Sequence, residues 1–175
     1  MEHTAPQPAM EFLHAIVSGE ATAAWRLMDD TFRLAYAQAW AYEHGAGWDV
    51  AERISQAGPL DPLWPSVAAA ILDGLRSTMD SFVELAAAGR LGLYSEVTPV
   101  GPDLEQVVFV DDHGATESCV AETSRPIEAL RVFVRTTDQG QRVAGIKGSI
   151  PQPGWPPNMN ARVDDAGWHR PSTMN

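Results

Sequence analysis

Residues Ala129–Ile150 read ALRVFVRTTDQGQRVAGIKGSI. Two runs of strand-forming residues flank a polar, glycine-containing turn, TDQG, which is the pattern of an antiparallel hairpin. Side chains alternate across a strand, so Leu130, Val132 and Val134 share one face, and Arg131, Phe133 and Arg135 share the other. The aliphatic face is expected to meet helices. Arg131, Phe133 and Arg135 then lie on the outer face, and a Phe between two arginines is interface-like composition. These three residues are therefore the candidate surface for a homodimer or a protein partner. With the facing reversed, the same arginines would line a pocket and suit an anionic ligand.

Outward from the hairpin, the apolar period separates helices from strands. Before it, a period of two runs through Leu91–Pro99, Leu104–Asp111 and, more weakly, Glu117–Thr123, with turns at Gly101-Pro102 and Asp111–Gly114. Before Gly89 the period is helical. Ala9, Phe12, Leu13, Ile16 and Val17 form one stripe; Ala21, Ala24, Trp25 and Met28 form a second; Phe32, Tyr36 and Trp40 mark a third. Asp29 and Asp30 stand where the third helix needs a cap. Trp48–Gln56 suggests a short helix or turn. A long helical stretch then runs to Ala88, weakened at Gly74 and Ser77-Thr78, so that two helices are expected.

Three to four helices followed by about five mostly antiparallel strands, without alternation of the two, predict an α+β fold with helices packed on one face of a curved sheet. Residues 1–8 form a flexible lead, 9–150 a single domain and 151–175 a proline-rich tail. The tail is expected to be loosely ordered or to lie over the surface, docked through Trp155 or Trp168. It lacks core periodicity, so the domain is expected to fold without it.

Composition narrows the function. The chain has 175 residues, 45% of them hydrophobic, enough for one sizeable core. Its net charge of −11 argues against nucleic acid and anionic membrane surfaces as partners. The charge is uneven: Ala129–Ile150 carries four basic residues and one acidic residue. No apolar stretch is long enough for a bilayer, and no secretory pattern precedes the first helix, so a cytoplasmic location is expected. Cys119 is the one cysteine. It excludes an internal disulfide and is expected as a small buried residue. No metal-ligating cluster and no phosphate-cradling glycine loop stands out, and neither a metal nor another cofactor is expected.

The opening FLHAIVSGEATAAWRLMDD and the closing ALRVFVRT, turn and QRVAGI before a proline-rich exit resemble small members of the nuclear-transport-factor-two-like superfamily, the cystatin-like α+β cone that includes the SnoaL-type cyclases. The resemblance covers about residues 9–150 and concerns architecture. One departure is Gly45–Pro65, where such folds usually place a strand and this chain offers none. The resemblance implies a pocket enclosed by helices and the inner sheet face, with a dimer through the outer face. It admits non-catalytic binders, interaction modules, isomerases, cyclases and hydrolases.

Two functions follow as expectations. One is a small-molecule-binding or protein-interaction domain, dimeric through its sheet, with a small apolar or amphipathic ligand. The other is a metal-independent isomerase, cyclase or hydrolase. The candidate ligand-binding residues are Trp25, Tyr36, Trp40, Tyr94 and Glu96. An isomerase would need a carboxylate and a tyrosine donor, for which Asp30, Glu96, Tyr36 and Tyr94 are available. A hydrolase would need carboxylates around an arginine, and Glu96, Glu105 and Glu117 with Arg131 and Arg135 are the parts at hand. Enclosure discriminates the two. An enzyme should hold a buried carboxylate of raised pKa in a cavity, and an interaction module should have a filled interior and an exposed apolar patch.

Overall fold

A computed structural model describes residues 6–94, 97–111 and 129–162. Among the described residues six helices precede the sheet: α1 (Pro6–Ser18), α2 (Ala21–Leu27), α3 (Asp30–Glu43), α4 (Trp48–Ala57), α5 (Trp64–Met79) and α6 (Phe82–Ala87). A single 3-10 turn, Gly58–Leu60, links α4 to α5. The stripes read from the sequence are the buried ones. Helix α1 buries Ala9, Phe12, Leu13 and Ile16, α2 buries Ala21, Ala24 and Trp25, and α3 buries Phe32 and Trp40. Asp29 caps α3, its Oδ1 accepting from the Phe32 N–H at 2.7 Å. The expected break in the last long helical stretch falls at Asp80, which adopts φ +52°. Gly74 and Ser77-Thr78 instead lie within α5.

The sheet is antiparallel throughout, in the order β1-β3-β4-β5, with β2 also paired to β3. Its strands are β1 (Leu91–Leu93), β2 (Thr98–Pro99), β3 (Leu104–Asp111), β4 (Leu130–Thr137) and β5 (Gly140–Ile146). The stretch expected as one strand, Leu91–Pro99, is thus two short ones, which makes five strands among the described residues. The expected strand Glu117–Thr123, with Cys119, lies outside the described residues. The α+β architecture expected from the change of period is the one observed: helices first, then an antiparallel sheet. Among the described residues no helix is long and apolar enough to cross a membrane.

The hairpin faces as its alternation predicts. Leu130, Val132 and Val134 join Phe12, Ile16, Phe32 and Val143 in the main core. The outer face, however, is not bare. Phe133 is only 2% exposed and forms a second, smaller core with Leu104, Ala144 and Ile150. Two local features produce this cover. Opposite the Phe133–Val134 step the ladder shifts register, so that Gly145 and Val143 are the partners and Ala144 is extra, a β-bulge. The chain then reverses through Lys147 (φ +57°) and Gly148 (φ +86°) and lies back over β5. The return is possible because residue 145 has no side chain: a Cβ there would sit 2.1 Å from the Ser149 carbonyl oxygen. The exposed phenylalanine of the expected interface is therefore a core residue.

The tail continues this cover. The Ile150 N–H donates to the Ala161 carbonyl at 3.0 Å, and Gln152 and Asn158 exchange two backbone bonds of 2.9 Å. The Gly154 N–H donates to the Oε1 of buried Gln38 at 2.8 Å, and the Trp155 ring meets Tyr42 edge-on and lies beside Trp48. Of the two expected anchors Trp155 docks the tail, and Trp168 lies outside the described residues.

These contacts tie the tail to the domain, so its removal is expected to destabilise the fold. Truncation after Pro151 should lower Tm by on the order of 5–10 °C in a calorimetric scan, because it uncovers Ile150 and removes the Gln38 partner. Gly145→Ala should cost about 1–3 kcal/mol in urea unfolding, since backbone rather than a yielding side chain blocks the new methyl group. An unchanged urea midpoint would show that the chain can return over β5 by another route.

Candidate functional site

Helices α3 and α5 run antiparallel across one another. At one end the Trp40 Nε1–H donates to Ser66 Oγ at 3.2 Å, near the start of α5. One turn earlier on α3, Tyr36 lies against Gly74, where a Cβ would be 3.6 Å from the tyrosine ring. Because Gly74 presents no side chain, the helices leave an open groove of about 410 Å³ beside Tyr36, Trp40 and Ile71. Met159 of the tail closes one side, and the carboxylates of Glu43 and Asp73 line its margin. Burial pushes the Tyr36 phenol well above its ordinary pKa of 10, so it stays neutral. The Phe32 ring flanks Tyr36 at 5.2 Å, and His44 stacks on Trp40 at 4.4 Å. The groove thus has an apolar floor and a polar rim, with a size within the usual range for small-molecule sites.

Two of the expected ligand-binding residues, Tyr36 and Trp40, meet in this groove. The others do not join them. Trp25 is a core residue, 2% exposed, set edge-on to Trp64 and covered by Gly58, whose Cβ would collide with the indole nitrogen at 2.6 Å. Tyr94 is exposed beyond β1 and pairs its backbone N–H with Val108. Glu96 lies outside the described residues, as does Glu117. Periodicity flagged Trp25 and Tyr36 alike, since both stand on apolar stripes. Only packing across Gly58 and Gly74 separates the sealed ring from the open one. Met159 was missed because the tail carries no periodic signal.

The parts proposed for catalysis are committed elsewhere. Arg135 donates to Asp29 Oδ2 and lies 3.6 Å from Asp103. Arg131 is exposed, and Gln141 Nε2 donates to Glu105 at 3.4 Å. Asp30 is exposed and pairs with Arg33 one turn along α3. A polar cleft of about 360 Å³ opens beside Asp29, Arg33, Arg135 and Arg142. Asp29 is 3% exposed, and both its oxygens are engaged, by the α3 amide and by Arg135. Burial raises its pKa above 3.8, outweighing the Phe32 hydrogen bond and the Arg135 charge, and the Asp30 charge adds to the rise. Among the described residues no cluster of His, Cys, Asp or Glu could hold a metal ion.

The Asp29 shift has a sign that can be measured. With its folded pKa above the unfolded value, the native state holds more protons between the two, and stability falls as pH rises through that interval. The stability of the wild type minus that of Asp29→Asn should therefore decline from pH 3.8 upward and then level off, as read by urea unfolding across pH 3–7. A difference that rises with pH instead would mean that the Arg135 pair dominates over burial.

Comparison with family models, with curated proteins and with solved structures finds no match for this chain.

Proposed function

We propose that this protein is a small-molecule-binding domain, and that its ligand is a small amphipathic molecule whose apolar body lies in the α3–α5 groove beside Tyr36 and Trp40. The observation that supports it is the open groove itself: aromatic and aliphatic walls, a rim of polar groups, and a volume of about 410 Å³, against about 160 Å³ for the apolar pocket beside Leu13, Leu91 and Phe109. Between sheet and helices Phe12, Phe32, Leu130 and Val132 form a packed core. The groove lies instead between two helices.

The catalytic alternative draws less support. The buried carboxylate of raised pKa is Asp29, but its oxygens serve a helix cap and an arginine, so neither is free to take a proton from a substrate. Tyr36 in the groove is a neutral donor with no buried carboxylate among the groove's lining residues; Glu43 and Asp73 are exposed. Dimerisation through Phe133 also loses its anchor, since that ring is already covered.

The groove reading is tested with 1-octanol as a minimal probe. Calorimetric titration should detect binding to the wild type, and Gly74→Leu should weaken it at least about tenfold by filling the space beside Tyr36. Leucine is a better helix former than glycine, so α5 should persist and Tm should not fall. Octanol that fails to bind, or binds Gly74→Leu equally well, would remove the groove as the site.

A further inference from the structure

The groove does not end at Gly74. One turn further along α5 stands Thr78, whose hydroxyl donates to the Gly74 carbonyl at 2.8 Å. Thr78 lines the groove and also a second cavity, of about 600 Å³. The tail borders both: Met159 on the groove and Asn160 on the second cavity. The second cavity has a different character. Its charged residues are Arg131, Lys147 and Arg162, and no described carboxylate lines it.

Backbone pairing holds these three cations together. Lys147 donates its N–H to the Arg131 carbonyl at 2.7 Å. Ser149, two residues on, pairs across a bridge with Arg162. The tight reversal between Ile146 and Ser149 places Lys147 at φ +57°, a left-handed position that asparagine or glycine would fill with less strain. A chain of net charge −11 has thus gathered three like charges at one spot with no described ion pair to neutralise them. Such an arrangement is self-repelling until an anion enters.

The geometry points to one elongated site. Resting on the groove reading above, we infer that the ligand carries an anionic head of the phosphate type, held by Arg131, Lys147 and Arg162, with its apolar body passing Thr78 into the groove beside Tyr36. The antiparallel helices fix the direction. Trp40, Ser66 and Glu43 mark one end, and Thr78, which also lines the basic cavity, marks the other, so the head lies at the Thr78 end. Guanidinium and ammonium groups suit a phosphate oxygen cluster, and the exposed position of Arg131 and Lys147 leaves the head accessible to solvent.

Paired probes separate this inference from the groove reading. Monomeric octyl phosphate should bind at least about tenfold more tightly than 1-octanol at low salt. Added salt and inorganic phosphate should erode that advantage without affecting octanol. The double substitution Arg131→Gln with Lys147→Asn should abolish the advantage and leave octanol affinity unchanged, which also reports an intact fold; asparagine keeps the left-handed turn. Octanol binding with no preference for octyl phosphate would overturn the anionic head and leave the groove standing. A preference that survives the double substitution would likewise overturn it. Failure of both probes would remove the groove reading together with this one. Sedimentation with phosphatidylglycerol vesicles that octyl phosphate does not compete away would assign the basic cluster to a lipid surface and overturn the soluble ligand.

Discussion

Asp29 joins the helical layer to the sheet. Its backbone N–H donates to the Val143 carbonyl at 2.8 Å, beside a bridge between Met28 and Val143, so the α2–α3 link covers the open edge of β5. Its Oδ1 starts α3, and its Oδ2 takes Arg135 from β4. One residue thus sets where α3 begins, at what height it crosses the sheet, and which end of the hairpin faces it. The position of Tyr36, two turns into α3, follows from that start. So does the meeting of α3 with Gly74 that opens the groove. The cost is a buried carboxylate, and its raised pKa records how much burial outweighs the compensating contacts.

The architecture was legible because it rests on periods that local sequence carries. The stripes at Phe12, Ala24 and Phe32, the change to a period of two after Gly89, and the alternation in β4 each state which face is buried. What local alternation cannot state is whether a second layer covers the other face. Phe133 read as exposed because it sits between two arginines. Its burial depends on Gly145 and on a return of the chain through Lys147-Gly148, and neither has a periodic signature. A glycine inside a strand next to a second glycine-containing turn was the signal available, since such a residue often marks a close backbone approach. The same reasoning divides the aromatics. Trp25 and Tyr36 were equivalent on their helices, and each faces a glycine on a neighbouring segment. Gly58 lies hard against the Trp25 indole, whereas Gly74 leaves ordinary van der Waals distance to Tyr36.

Charge asymmetry was legible too, though its meaning changed on folding. Alternation places Arg131 and Arg135 on one outer face, within a locally basic hairpin. In the fold they part company. Arg135 is drawn to Asp29 and Asp103, and Arg142 lines the same acidic cleft. Arg131 and Lys147 line a separate cavity and are joined there by Arg162 from the tail. Neighbours in a strand thus belong to different electrostatic environments, because the acidic partners come from α3 and the β2–β3 turn at one end of the hairpin only.

The tail connects these features physically. Residues 158–162 pair with the returning chain at Ile150 and Ser149, border the groove through Met159 and contribute Arg162 to the basic cluster. A ligand spanning groove and cluster would touch the tail at both ends, so its binding free energy would include the free energy of holding the tail in place. By linkage, whatever loosens the tail weakens the ligand, and the ligand in turn stabilises the tail. The cover over Phe133 and the proposed binding site are then two consequences of one docking event. The repulsion among Arg131, Lys147 and Arg162 opposes that docking in the free protein, and an anion would relieve it. The segment that looked least structured in the sequence is on this argument the one whose order the ligand would control.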